Sequence, residues 1–182
     1  MTPQDFTLQS SSEKILPHSL WTALLALFVA LGIVFRQIAI PTFSPFVTLT
    51  PGFIIPLLTG IVLGPLGGIL CGIFVGLSGG LWEPVLIPLI GNIALGLSTG
   101  IPTYFRHKMR PYLWIGCCII SAIIIGGFLP TFSIEVLFFW VVPPIAAISA
   151  SVDALQASMW VITAFIVTSI IDPFLLGYRR KK

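Results

Sequence analysis

The sequence predicts an all-α integral membrane protein, a compact bundle of six transmembrane helices with both termini in the cytoplasm. The first observation is composition: of 182 residues, 57% are hydrophobic and only 8% are charged, and the mean hydropathy is +1.07. A soluble domain of this length needs more charge to cover its surface. The second is that uncharged stretches, each near the ~20 residues that cross a bilayer, follow one another. The third is the placement of the basic residues.

The basic residues form two clusters beside apolar segments, and the positive-inside rule places both in the cytoplasm. One cluster holds Arg106, Lys108 and Arg110, and the other is the C-terminal tail, 179–182. No basic face interleaved with aromatic residues is present, which argues against a nucleic-acid partner. Residues 1–18 lack the basic start and cleavage site of a signal peptide, so they are interpreted as a retained cytoplasmic tail. The lipid bilayer of the cell membrane is the expected environment.

Between the two tails, residues 19–178 are predicted to form one six-helix membrane domain. The second span ends at Gly64-Pro65, where proline removes a hydrogen-bond donor, so a tight turn or kink is expected. The segment 130–150 contains a Pro-Pro pair and is predicted to be an outer loop or a partly re-entrant segment. The spans are expected at about 19–38, 51–63, 66–80, 85–104, 112–129 and 151–178.

Glycine recurs every fourth residue in the second and third spans. In lipid, the missing side chain lets helix backbones approach each other closely. A strict four-residue repeat drifts about 40° per step on an ideal helix, and Pro65 divides it, so the pattern predicts the packing surface of a tight helical hairpin rather than a ligand site. The glycines predicted to pack helices are Gly60, Gly64, Gly68, Gly72, Gly76 and Gly80.

The sequence carries no pattern typical of an enzyme. His18 and His107 fall at predicted cytoplasmic edges, and Cys71, Cys117 and Cys118 lie in apolar runs without metal-ligand spacing. No phosphate-binding GxxxxGK[ST] motif is present, so the chain itself is not expected to hydrolyse ATP. We therefore expect no catalytic residue, no metal and no cofactor.

Polar or ionisable residues in the apolar runs are candidates for a substrate site, because hydrocarbon penalises them. Asp153, Gln156 and Trp160 share one face of the last span, near its outer half. A carboxylate, an amide and an aromatic plate together suit a small polar heterocycle. An interfacial helix start with a tryptophan in the aromatic belt explains the same spacing. The other candidates are Arg36, Asn92 and the predicted loop residues Glu83, Glu135 and Trp140. Arg36 could instead extend its guanidinium to the lipid head groups. Glu83 and Glu135 could instead be ordinary solvated loop carboxylates.

The first span carries a stripe of small residues. Ala23, Ala26 and Ala30 share one face at spacings of three and four residues, and Arg36 points away from that face. A smooth face of this kind is typical of close helix packing.

On the AxxxA segment from Ala26 to Ala30 and the hairpin LLTGIVLGPLGGILCGIFVG, the chain resembles the substrate-binding S components of energy-coupling factor (ECF) vitamin transporters. The resemblance implies a docking role for the alanine face against a transmembrane coupling subunit, with two ATPase subunits supplying the energy. It also implies an outer pocket that binds a vitamin or related small molecule, capped by the first loop and lined by the fourth to sixth helices.

Two other functions stay open at this point. A stand-alone secondary carrier or channel would be expected to show inverted repeats with broken helices, and the two halves show no convincing repeat. A membrane scaffold or assembly protein without a ligand should tolerate loss of Asp153, Gln156 and Trp160.

Overall fold

The computed structural model describes residues 17–38, 40–41, 48–80 and 84–180, with side chains described up to residue 171 except at residue 41. It is mostly helical, as predicted. Within these residues, five helices are long and apolar enough to cross a bilayer, where the sequence led us to expect six. They are His18–Arg36, Pro51–Gly79, Leu86–Tyr104, Pro111–Phe138 and Pro143–Ile171.

The elements follow one another with short connections. Helix α1 is His18–Arg36, and a small antiparallel sheet follows it, with β1 at Ile40–Pro41 and β2 at Thr48–Leu49. A 3-10 turn, Pro51–Phe53, leads into α2, Ile54–Gly79. Helix α3 is Leu86–Tyr104, followed by the 3-10 turn Arg106–Lys108. Then come α4 (Pro111–Ser121), a π-helical segment (Ala122–Phe128), α5 (Leu129–Phe138) and α6 (Pro143–Arg180).

Helix α2 reverses its direction at Gly64. The backbone there has φ +79° and ψ −171°, which is not helical, and Pro65 follows. Both Ile55 and Val75 lie against Gly32 of α1, so that a Cβ added at Gly32 would overlap Val75 and come within 3.1 Å of Ile55. In a straight helix those two residues would be about 30 Å apart. Helix α2 therefore consists of two antiparallel legs, one before and one after Gly64. The five membrane-crossing helices given above include these two legs as a single helix.

The glycine stripe packs both legs of α2 onto α3. Gly60 and Gly68 belong to different legs, yet a Cβ added at either would overlap the carbonyl oxygen of Gly96. The sequence indicates a surface within the hairpin itself, whereas the structure shows that the partner is the following helix. Gly72 faces Asn92, Gly76 faces Leu89, Gly80 meets Val85, and Gly64 has no described neighbour within 4 Å of an added Cβ.

The segment 130–150 is helical over most of its length, which corrects the prediction of a loop or re-entrant segment. Pro111–Phe138 is one continuous helical run, and only a short turn separates it from α6. Pro130 follows directly on the π-helical segment, where the regular hydrogen-bond pattern is already interrupted. The Pro-Pro pair opens α6 at Pro143, where the first turn needs no N–H donor. The last helix thus begins at Pro143 rather than near residue 151.

The core of the bundle lies around α2. In its most apolar stretch, 61% of the residues are buried, against 11% for α1. Leu57, Val75, Leu95 and Val161 are fully buried there, from α2, α3 and α6. The outer helices present apolar side chains outward, which matches the exposed surface expected in lipid.

Candidate functional site

Charged and amide side chains meet inside the bundle, where apolar packing would be expected. Arg36 of α1 is 1% exposed, Asn92 of α3 and Glu135 of α5 are 0% exposed, and Asp153 and Gln156 of α6 are 6% and 4% exposed. Burying such groups away from water is costly unless they are engaged. Five polar side chains from four helices therefore mark this region as the candidate site.

A cavity opens between four of the helices and the 3-10 turn before α2. The cavity is small: its volume of about 10 Å³ is close to the minimum that holds one water molecule. A larger ligand therefore requires its walls to move apart. Three predicted residues line it together, namely Arg36, Asn92 and Asp153; the other lining residues are Phe53, Ile87, Pro88, Gly91, Gly126 and Thr131.

The carboxylate of Asp153 is held between α5 and α6. The hydroxyl of Thr131 donates to one of its oxygens at 2.5 Å, and the amide nitrogen of Gln156 donates to the other at 3.3 Å. The same nitrogen of Gln156 donates to the Thr48 carbonyl at 2.9 Å, and the Thr50 N–H donates to the Gln156 side-chain oxygen at 2.9 Å. The side-chain amide of Gln156 therefore both donates to and accepts from the backbone at the end of β2, as the backbone of a neighbouring strand would.

Thr50 extends this network to α1. Its hydroxyl donates to the carbonyl of Phe35 at 3.3 Å and accepts the N–H of Gly52 at 3.0 Å, which caps the 3-10 turn. Thr50 is 1% exposed, so these bonds are shielded from competition. A continuous chain of hydrogen bonds thus joins the end of α1, the β2 segment, α6 and α5.

Arg36 lies inside the bundle rather than at its rim. Its guanidinium carbon is 5.6 Å from the centroid of the Phe53 ring, within the range of a cation–π interaction. Glycines make room for it: a Cβ at Gly79 would come within 2.7 Å of the Arg36 Nε atom, and one at Gly52 would come within 3.0 Å of its Cα. This placement differs from the snorkelling alternative, in which the guanidinium reaches outward to head groups.

Asn92 and Glu135 have acceptor atoms without partners among the described residues. The Asn92 amide nitrogen donates to the Pro88 carbonyl at 2.7 Å, but its Oδ1 accepts no hydrogen bond there. Neither carboxylate oxygen of Glu135 accepts one either. Glu135 was expected in an outer loop; the structure places it within α5 because that helix continues past Pro130.

The remaining candidates lie apart from the cavity. Trp140 is 88% exposed in the turn between α5 and α6, and Trp160 is partly buried against the hydrophobic core. Glu83 lies outside the described residues. Sequence reasoning missed Phe53 and Thr131, although a threonine inside an apolar run was a signal available for the second.

The alanine stripe of α1 lies on that helix's exposed side. Ala23, Ala26 and Ala30 are all exposed, while Phe28 and Gly32 face the interior. The stripe is therefore available to lipid or to another protein.

The chain is similar to proteins of known structure. The S component of a bacterial ECF transporter is similar to this chain with a TM-score of 0.49 and 23% sequence identity, covering 90% of this chain and 96% of the other. It belongs to the family that the sequence resembles. No protein-family model and no curated protein sequence matches the chain.

Proposed function

We propose that this protein is the substrate-capture subunit of an ECF-type transporter, which binds a water-soluble vitamin or related small molecule for ATP-driven uptake by partner subunits. The observation that carries the proposal is the convergence of Arg36, Asn92 and Asp153 on one enclosed cavity in an apolar bundle. Ionisable groups buried in a membrane domain are expensive and are typical of substrate sites. A few convergent polar groups in a mostly apolar pocket are also typical of small-molecule recognition.

The cavity belongs, in this proposal, to the outer half of the membrane. It lies beside the first turns of α3, whereas Arg106 follows the end of that helix, about 21 Å beyond Asn92 along its axis. The positive-inside rule favours the cytoplasm for the basic end. At that same end, Gly100 contacts Pro65, and the Trp21 side chain donates to the Leu63 carbonyl at 3.4 Å.

The topology proposed is six crossings with cytoplasmic termini. It follows if each leg of α2 counts as a crossing, although each is shorter than the ~20 residues of a full span. The start of α1 and the turn at Gly64 then share the cytoplasmic side with the basic turn after α3.

The coupling subunit is proposed to dock on the alanine stripe of α1, with the ATPases bound through it. Small residues let two helix backbones approach closely in lipid, where dispersion contacts drive association. The stripe is exposed, whereas Arg36 on the same helix is buried, so docking and substrate binding use different faces of α1. No chemical step on the substrate is included.

Binding is tested on the protein purified from its own host membranes in native lipid and examined by native mass spectrometry. A panel of water-soluble vitamins is then titrated onto the emptied protein in lipid nanodiscs. We expect one panel member or one co-purified molecule to bind, and Asp153→Asn to weaken it by about tenfold or more, because a charged acceptor is lost.

The matched control is Ser169→Ala, which removes an exposed hydroxyl on the same helix; among the described residues, this hydroxyl bonds only within its own turn. If Asp153→Asn leaves the affinity for the ligand unchanged, the binding site does not include Asp153. Failure of every molecule to bind would contradict the proposal, and uptake by the protein alone in vesicles would favour a stand-alone carrier.

A further inference from the structure

Helices α5 and α6 carry two polar pairs at successive levels. The first pair is Thr131 and Asp153, which share a hydrogen bond and line the cavity. Glu135 stands four residues after Thr131, and Ser149 stands four residues before Asp153. Because the two helices run antiparallel, these residues form a second pair one helical turn away, about 6 Å along the axis. At this second level, no hydrogen bond from the described residues reaches either carboxylate oxygen of Glu135.

Two buried side chains near the first pair have acceptor atoms without partners among the described residues. Asn92 Oδ1 is in the cavity wall, and the Glu135 carboxylate is one turn beyond it. Both side chains are 0% exposed, so bulk water does not reach them. Atoms that can only accept hydrogen bonds are satisfied by a ligand that brings N–H or O–H donors.

Charge narrows the kind of donor. The buried charged side chains of the described chain are Arg36, Asp153 and Glu135, whose formal charges sum to −1 with both acids ionised. A buried charge that is not balanced is strongly unfavourable. A proton on Glu135 restores neutrality in the empty protein, and a bound monocation restores it when Glu135 is ionised, whereas an anion adds to the negative charge.

We propose that the substrate site extends one turn beyond the cavity to Glu135, and that its ligand is a small organic monocation with N–H donors. An ammonium, an amidinium or a protonated amino-heterocycle fits this description. Its N–H groups donate to the Glu135 carboxylate and to Asn92 Oδ1. This inference rests on the proposed function, because it names the substrate class of the same site.

Three molecules of nearly the same shape and different charge test the inference. Benzamidine is a cation with N–H donors, benzamide is neutral, and benzoate is an anion. Their dissociation constants are measured by calorimetry on the protein in lipid nanodiscs at pH 7. We expect benzamidine to bind about tenfold or more tightly than benzamide, and benzoate to bind most weakly.

Glu135→Gln keeps the size of the side chain and removes its charge, so the preference for benzamidine over benzamide should fall to near onefold. Ser169→Ala should leave all three constants unchanged. The comparison among the three probes needs no variant, so it decides the matter even if Glu135→Gln fails to fold. Equal or tighter binding of benzamide, or an unaltered preference in Glu135→Gln, would overturn the inference.

The outcome also separates this inference from the proposed function. If no probe binds and the vitamin panel yields a neutral or anionic ligand, the cation site is wrong and the capture function stands. If the panel yields a cationic vitamin, weaker binding of that vitamin to Glu135→Gln supports the cation site, and unchanged binding contradicts it. If neither the probes nor any vitamin binds, both proposals fail.

Discussion

At the scale of single residues, Gln156 holds the β2 segment against α6 through one carboxamide. Its nitrogen and oxygen both bond to the backbone, at Thr48 and Thr50, and the nitrogen also reaches Asp153. These bonds are buried, so water cannot replace them if the side chain is lost. One side chain of the last helix therefore helps to hold residues 48–50 in position.

Gln156→Leu should destabilise the protein by roughly 2 kcal/mol or more, because it leaves a buried N–H and a buried carbonyl without partners. Thermal unfolding in nanodiscs measures the loss, and hydrogen exchange should show faster exchange of the Thr50 amide. Gln37→Leu is the matched control, since the Gln37 side chain is exposed and, among the described residues, bonds only to α1. An unchanged Thr50 amide in Gln156→Leu would contradict this role.

Residue-level reasoning predicted some of the residues that line the cavity and missed others. Arg36, Asn92 and Asp153 were identifiable because a polar group in an apolar run is costly by itself, whatever surrounds it. Their convergence on one cavity was not predictable, since it depends on how distant helices pack. Phe53 was missed because an aromatic residue in an apolar run carries no such penalty, so nothing in the sequence separates it from core residues.

At the scale of the elements, glycine decides how α2 folds and what it touches. The φ of +79° at Gly64 lies in a region that is essentially restricted to glycine, and the other glycines let both legs of α2 reach the backbone of α3. The turn itself was predictable from Gly64-Pro65. The length of α5 was not, because the π-helical segment that accommodates Pro130 has no sequence signature comparable to a cap.

Gly64→Ala should cost roughly 1–3 kcal/mol, because alanine must adopt a strained backbone there although space for its methyl group is available. Equilibrium unfolding in mixed micelles measures the cost. Gly116→Ala is the control, a glycine of α4 with helical backbone and no described neighbour within 4 Å of an added Cβ. Equal stability of the two variants would argue against a tight turn at Gly64.

Gly68→Ala tests close packing instead of backbone strain. Its methyl group would overlap the backbone of Gly96, so α2 and α3 must separate, and we expect a loss of roughly 1–3 kcal/mol relative to Gly116→Ala. As a second measurement, cysteines are introduced on α2 and α3 near this contact. The disulfide between them should form more slowly in Gly68→Ala than in the unaltered protein if the two helices separate. A stability equal to that of the control would contradict the contact.

At the scale of the whole molecule, opposite faces of α1 belong to two different surfaces, the cavity inside the bundle and the exposed outer surface. The interior face carries Arg36 into the cavity, and the exposed face presents the alanine stripe. Substitutions on one face should therefore leave the function of the other intact. The separation was partly predictable, since the helical spacing of Ala26 and Arg36 already puts them on different sides.

Ala26→Leu and Ala30→Leu should abolish assembly with a coupling subunit and transport, while the affinity for the ligand stays within about twofold of that of the unaltered protein. Bulky side chains there hold a partner helix away. Co-purification of the partner and ligand titration measure the two properties separately. Ser169→Leu, a similar enlargement on the exposed side of α6, serves as the control. A parallel loss of ligand affinity would contradict the division between the faces.

The bonds between Gln156 and the β2 segment join residues more than a hundred positions apart, which has a consequence for biosynthesis. A ribosome adding 5–20 residues per second needs roughly 5–20 s to make the chain between Thr50 and Gln156. Throughout that interval Arg36 has already been made, whereas the carboxylates of α5 and α6 come only near its end. The bonds that hold the β2 segment against α6 therefore form only after the last helix has been made.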